Sequence, residues 1–245
     1  MKILALNTSG TITTWAGVEN EAIIDPVDIM TGRRHDAILA PGISEWLKRN
    51  RWDRMDAVAV VTGPGGFTGL RVGVAFASAY ALARGIPMLP LNTFEVLSAR
   101  LRTGVAWVLV PTRKGYCRGR MMRAGIPPQP IDDPSEILVG TLPPLPAEKI
   151  YPIGEGYERY REAFDKALGN RIIEKPELLS PATALAEMTR HYWRMDEGQR
   201  RMGKGQRAKG KGESEEAVGQ RANSPYVIHP IEVDIDYGSD FLPTR

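Results

Sequence analysis

The chain has 245 residues, 42% hydrophobic and 25% charged, an ordinary globular composition with room for one large domain or two small ones. A single cysteine, Cys117, excludes an internal disulfide, and no run approaches the roughly 20 apolar residues of a bilayer span. In "MKILALNTSG" polar residues arrive by Asn7, too soon for the core of a secretory leader, so a cytoplasmic protein with no membrane partner is expected.

In chain order, "KILALNTS", "TITTWAGV" and "EAIIDPV" read as three short antiparallel strands. "HDAILAPGISEWLKRNRW" spaces Ile38, Leu39, Ile43, Trp46 and Leu47 as a helix, with Pro41 expected to kink it or start a turn. "MDAVAVVTG" is apolar throughout, as a central strand covered on both faces should be. A long helix follows, then a strand in "IPMLPLN" and a helix in "TFEVLSARLR" capped by Asn92 or Thr93. A second half begins near Gly104: strands in "VAWVLVPT" and "YCRGRMMRAG", a helix in "DPSEILVGTL" with Asp133 as cap, and a strand in "EKIYPIG" ending in another glycine turn. "EGYERYREAFDKALG" reads as one amphipathic helix ended by Gly169, "NRIIEKPEL" as a strand and "PATALAEMTRHYWRM" as a last helix. The order of elements repeats, which predicts two α/β subdomains, residues 1–103 and 104–245.

The net charge of +3 belongs to one tract. Residues 198–212, "GQRRMGKGQRAKGKG", hold six of the 32 Lys and Arg and no acid, leaving 26 basic against 29 acidic residues elsewhere. Five glycines in fifteen residues predict a flexible insertion at about 198–222. A solvated loop and an arm that neutralises RNA phosphates both fit it, although no aromatic is present for base stacking.

Gly63, Pro64, Gly65 and Gly66 stand between a buried strand and a helix, where unpaired amides and the helix dipole favour an anion. With Asn7, Thr8 and Ser9 they form a candidate phosphate loop, yet they match neither the P-loop nor the dinucleotide fingerprint. A tight turn that brings helix and sheet close explains the same glycines. The helix after it has no polar face: Leu70, Val74, Ala77 and Ala81 line one side, and Val72, Phe76, Tyr80 and Ala83 another. Gly69, Gly73, Ala75, Ser78 and Ala79 leave a flank that another helix can approach closely, so the second apolar side is covered by a partner or by another element of the same chain.

"GPGGFTGLRVGVAFASAYALARGIP", preceded by "MDAVAVV" and by "ILALNTS" at the start, resembles the TsaB (YeaZ) family of the bacterial threonylcarbamoyladenosine tRNA-modification system. The likeness covers the first hundred residues, continues through "YPIGEGYERY" and returns at "SPYVIHP". It implies the duplicated actin-like ATPase (ribonuclease H-like) fold. It also implies a non-catalytic role beside a TsaD-type subunit that transfers threonylcarbamoyl to the adenosine next to the anticodon, with a TsaE-type ATPase joining the complex. The helix from Phe67 to Arg84 would then join two subunits, or two copies of this chain when TsaD is absent, with Phe67, Leu70, Arg71, Val74, Ala77 and Ala81 as the expected contacts. Contact with tRNA would be indirect.

Departures from the family bear on nucleotide chemistry. Asn7 stands where an Asp is usual and cannot supply the charge that Mg²⁺ prefers. Gly66 replaces a common Ser, and "PTRK", residues 111–114, replaces Asp-Ala-Arg-Arg. No cofactor is expected beyond vestigial ATP or ADP binding. No metal set is expected from three scattered histidines, and no catalytic residue is nominated: His35 reads as a cap or surface residue, His191 as a packing residue and Cys117 as an incidental thiol. The competing reading is a nucleotide-binding enzyme of the actin-like class acting alone.

Overall fold

A computed structural model describes residues 1–32, 34–207, 228–230 and 233–236, with the backbone alone for 199–207. The strands are β1 (Lys2–Asn7), β2 (Ile12–Glu19), β3 (Ala22–Met30), β4 (Ala57–Gly63), β5 (Met88–Asn92), β6 (Val105–Pro111), β7 (Tyr116–Arg123), β8 (Gln129–Pro130), β9 (Ser135–Leu138) and β10 (Ile150–Ile153). The helices are α1 (His35–Asn50), α2 (Phe67–Arg84), α3 (Thr93–Ser98), α4 (Glu155–Arg159), α5 (Arg161–Leu168) and α6 (Pro181–Arg207).

The first sheet has the order β3-β2-β1-β4-β5, with β1 antiparallel to β2 and parallel to β4. Its central strands β1 and β4 are apolar from Ile3 to Leu6 and from Ala57 to Val61 because both faces are covered, and successive side chains alternate between the two layers. Leu4, Leu6, Val58 and Val60 point at α1 and α2, while Ile3, Ala5, Ala57, Ala59 and Val61 point at α6 through Ala182, Leu185, Ala186 and Met188. The second sheet repeats the plan: β6 is antiparallel to β7 and parallel to β10. Tyr157, Phe164 and Leu168 cover its Trp107 face, and Phe94 lies with Ala106 and Val108 on the other. This is the duplicated actin-like, ribonuclease H-like arrangement.

Several expectations change. Residues 135–138 form β9, paired with β7, and not a helix: Pro143, Pro144 and Pro146 remove the amides that a continuing helix needs, and only Ile137 turns inward, as on an edge strand. The second half therefore has no counterpart of α1. The single helix expected over 155–168 is two, broken at Tyr160 (φ −123°, ψ 29°), whose hydroxyl accepts the Gly115 amide at 3.1 Å. "NRIIEKPEL" is a 3-10 turn followed by isolated bridges, Ile172 to Ile150 and Leu178 to Leu101. Pro41 sits inside an unbroken α1 that buries His35, Leu39, Ile43 and Trp46 at its own spacing. Helical backbone runs on to Arg207, so the first part of the basic tract continues α6 and is not loop; residues 208–222 lie outside the described residues.

Candidate functional site

The glycine turn packs against its own chain. Asn7 Oδ1 accepts the Ser9 amide at 2.9 Å, Thr8 Oγ1 donates to the Gly69 carbonyl at 2.7 Å, and the Gly66 amide donates to the Ser9 carbonyl at 2.8 Å. A Cβ at Gly65 would stand 2.6 Å from the Ser9 carbonyl oxygen, and one at Gly69 would overlap the Thr8 carbonyl oxygen. Close approach of two backbones explains these glycines without a ligand. Gly63 has φ +134°, and a Cβ there would overlap the carbonyl of Asp236, whose amide donates to Thr62 at 2.9 Å. The six candidate phosphate residues are thus brought together, and their described polar contacts bind the loop to itself.

His35 is 4% exposed, against the expectation of a surface position, and α1 has no side-chain cap. Its Nδ1 lies 2.7 Å from Thr13 Oγ1 and 3.3 Å from Thr31 Oγ1. Burial pushes its pKa below the usual histidine value, against Asp36, Glu155 and the Gly10 carbonyl. Glu155, at the glycine turn of the second half, comes near the first loop: a Cβ on Gly10 would be 3.6 Å from its Oε2. Glu155 is in turn paired with Arg159 at 2.5 Å. Cys117 is fully buried and its thiol is pushed up to about 11 by desolvation, which keeps it protonated and inert. Among the described residues no three His, Cys, Asp or Glu side chains gather as a metal site.

Helix α2 resolves which of its sides faces out. Leu70, Ala77 and Ala81 are fully buried and Val74 is 5% exposed, so these four expected interface residues lie in the chain's own core. The reason is Thr8, whose carbonyl and hydroxyl meet the Gly69 and Gly73 positions and draw that side onto β1. Phe67 and Arg71 do point outward, stacked at 5.1 Å. With them lie Ala75 and Ala79, from the small-residue flank that the sequence offers to another helix, and Leu82, 55% exposed, which the sequence pattern did not single out. Every fourth or third position from 67 to 82 was the available signal. Beside this stripe Phe76 stacks on Tyr80 and Arg84 lies 3.7 Å from the Tyr80 ring. They edge a groove of about 390 Å³ between α1 and α2, lined also by Ile43, Leu47 and Trp52.

The family described as "TsaD: tRNA N6-adenosine threonylcarbamoyltransferase" matches residues 28–113, the stretch from β3 to β6 that carries α1 and α2. A tRNA N6-adenosine threonylcarbamoyltransferase of Caulobacter vibrioides is 41% identical over 68 residues, 26% of this chain and 18% of that protein. A second, from Porphyromonas gingivalis, is 33% identical over 37% of this chain and 31% of its own length, so the chain spans less than a third of these two relatives. The "tRNA threonylcarbamoyladenosine biosynthesis protein TsaB" of Bacillus subtilis is 25% identical over 70% of this chain and 78% of its own. Among solved structures, YeaZ from Pseudomonas aeruginosa superposes with a TM-score of 0.65 at 19% identity, covering 80% of this chain and 93% of that one. The class is thus an actin-like α/β protein with an apolar helix on its surface. Within that class, the chain is similar to proteins of the TsaB/YeaZ family.

Proposed function

We propose that the chain is a non-catalytic subunit for threonylcarbamoyl transfer to the tRNA adenosine beside the anticodon, docking a TsaD-type catalytic subunit through the outer stripe of α2. A TsaE-type ATPase completes the assembly, copies of the chain pair through the same stripe when alone, and tRNA is met through the complex in the cytoplasm. Subdomains 1–103 and 104–245 are part of this reading. The observation that carries it is the exposure of Phe67 and Leu82 on a helix whose remaining outer positions, Ala75 and Ala79, are small enough for another helix to seat closely. Closure of the glycine turn on Ser9 speaks against a phosphate there.

The test mixes the purified chain with a TsaD-type protein and, separately, titrates it with ATP by calorimetry. Co-elution that Ala75→Arg or Leu82→Asp abolishes, with no heat from ATP, is the expected pair of results. Micromolar ATP binding and turnover by the chain alone would overturn the proposal in favour of a free-standing nucleotide enzyme.

A further inference from the structure

The segment after the basic tract is not absorbed by that reading. Residues 228–230 and 233–236 return to the first sheet and end at the glycine turn that opens α2. Ile228 exchanges both backbone hydrogen bonds with Met88 on the free edge of β5, at 2.9 and 3.0 Å. Val233 and Ile235 are half-buried against the layer that holds Val74 and Ala77, while Asp234 and Asp236 alternate outward. The Asp236 amide then binds Thr62, in the seat that Gly63 leaves open. An edge strand is a standing template for another backbone, and here the chain's own segment fills it.

We infer that residues 228–230 and 233–236 are a latch on the docking helix: seated, they close the β5 edge and fix the start of α2 for its partner; released, they free both. The inference rests on the subunit reading for its consequence, though not for its geometry. Among the described residues the latch is held by three backbone hydrogen bonds and by Ile228, Val233 and Ile235, a small set beside the core it lies on, so it opens below the cost of global unfolding. Asp234 is exposed, and its Oδ1 accepts the Ile235 amide at 2.9 Å within the segment itself.

The full-length Val233→Asp/Ile235→Asp chain tests this by hydrogen exchange and by binding to a TsaD-type protein. Exchange of the Met88 and Asp236 amides should accelerate about tenfold or more while those of Leu4 and Val60 keep their rates, and partner affinity should fall by about tenfold. Gly63→Ala, which removes the seat and leaves the latch intact, should give the same pair of changes. Unchanged exchange at Met88, or equal acceleration throughout the first sheet, overturns the latch. Local release with unchanged affinity overturns its link to the docking face. A native chain that binds no TsaD-type protein sinks the subunit reading, and exchange at Met88 still decides whether the latch opens.

Discussion

At residue scale, two positions convert the geometry into measurable quantities. Gly69→Ala would drive a methyl into the Thr8 carbonyl, backbone against backbone, and neither strand β1 nor helix α2 can yield without moving the core. A loss of about 1–3 kcal/mol in denaturant unfolding is expected, the usual range for overpacking. His35 is held neutral by burial between Thr13, Thr31 and the Gly10 carbonyl, so its folded pKa lies below the unfolded value. The unfolded chain then binds the proton first as pH falls. Stability is complete above the unfolded pKa, near 6.5, and drains as the solution is acidified toward the lower folded value. Because burial lowers the pKa of His191 in the same direction, unfolding measured from neutral to mildly acidic pH should flatten partly in His35→Gln and further in His35→Gln/His191→Gln. This histidine was visible in the sequence but its burial was not, since Thr13, its nearer partner in space, lies 22 positions away on β2.

At the scale of the element, α2 shows what a pattern can and cannot carry. Its bounds were legible: an apolar run opening after Gly66 and closing at Gly85, which takes the left-handed cap conformation at φ 62°. Its orientation was not, because Leu70, Val74, Ala77 and Ala81 are no more hydrophobic than Val72, Phe76 and Tyr80, and the choice is made by Thr8 on another element. The contrast can be measured. Val74→Glu places an unpaired carboxylate in the core and should cost several kcal/mol in thermal or denaturant unfolding. Ala75→Arg, one position along and exposed, should leave unfolding within about 0.5 kcal/mol of the native chain while abolishing association. If both variants unfold alike, the assignment of sides is wrong. The misread segment at 135–138 teaches the complementary lesson, for a capping signal at Asp133 was outvoted by the prolines downstream and by the open edge of β7.

At the scale of the molecule, the repeated plan of two sheets was legible from the order of strands and glycine turns, whereas the placement of α6 was not. Alanines at 182, 184 and 186 fit any close packing, and nothing local says which sheet they cover. The structure puts them on the first, with the Ala182 amide 3.3 Å from Asp28 Oδ2 across 154 positions. A fragment ending at residue 103 therefore bares the Ile3, Ala5 and Ala59 face. It should show no cooperative thermal transition by circular dichroism, whereas the full chain should melt in one step. A fragment that folds cooperatively by itself would show that α6 is dispensable to that sheet.

The same return of α6 imposes a timetable on the ribosome. The opening sheet emerges first but stays uncovered on one side until the last helix has been made, since its cover is encoded some 150 residues downstream. For that interval Ile3, Val18 and Leu89 remain greasy and unshielded, as does any sheet whose roof is built last. Nascent chains are thus the form most in need of a chaperone, and slow codons placed before residue 181 would lengthen the exposure.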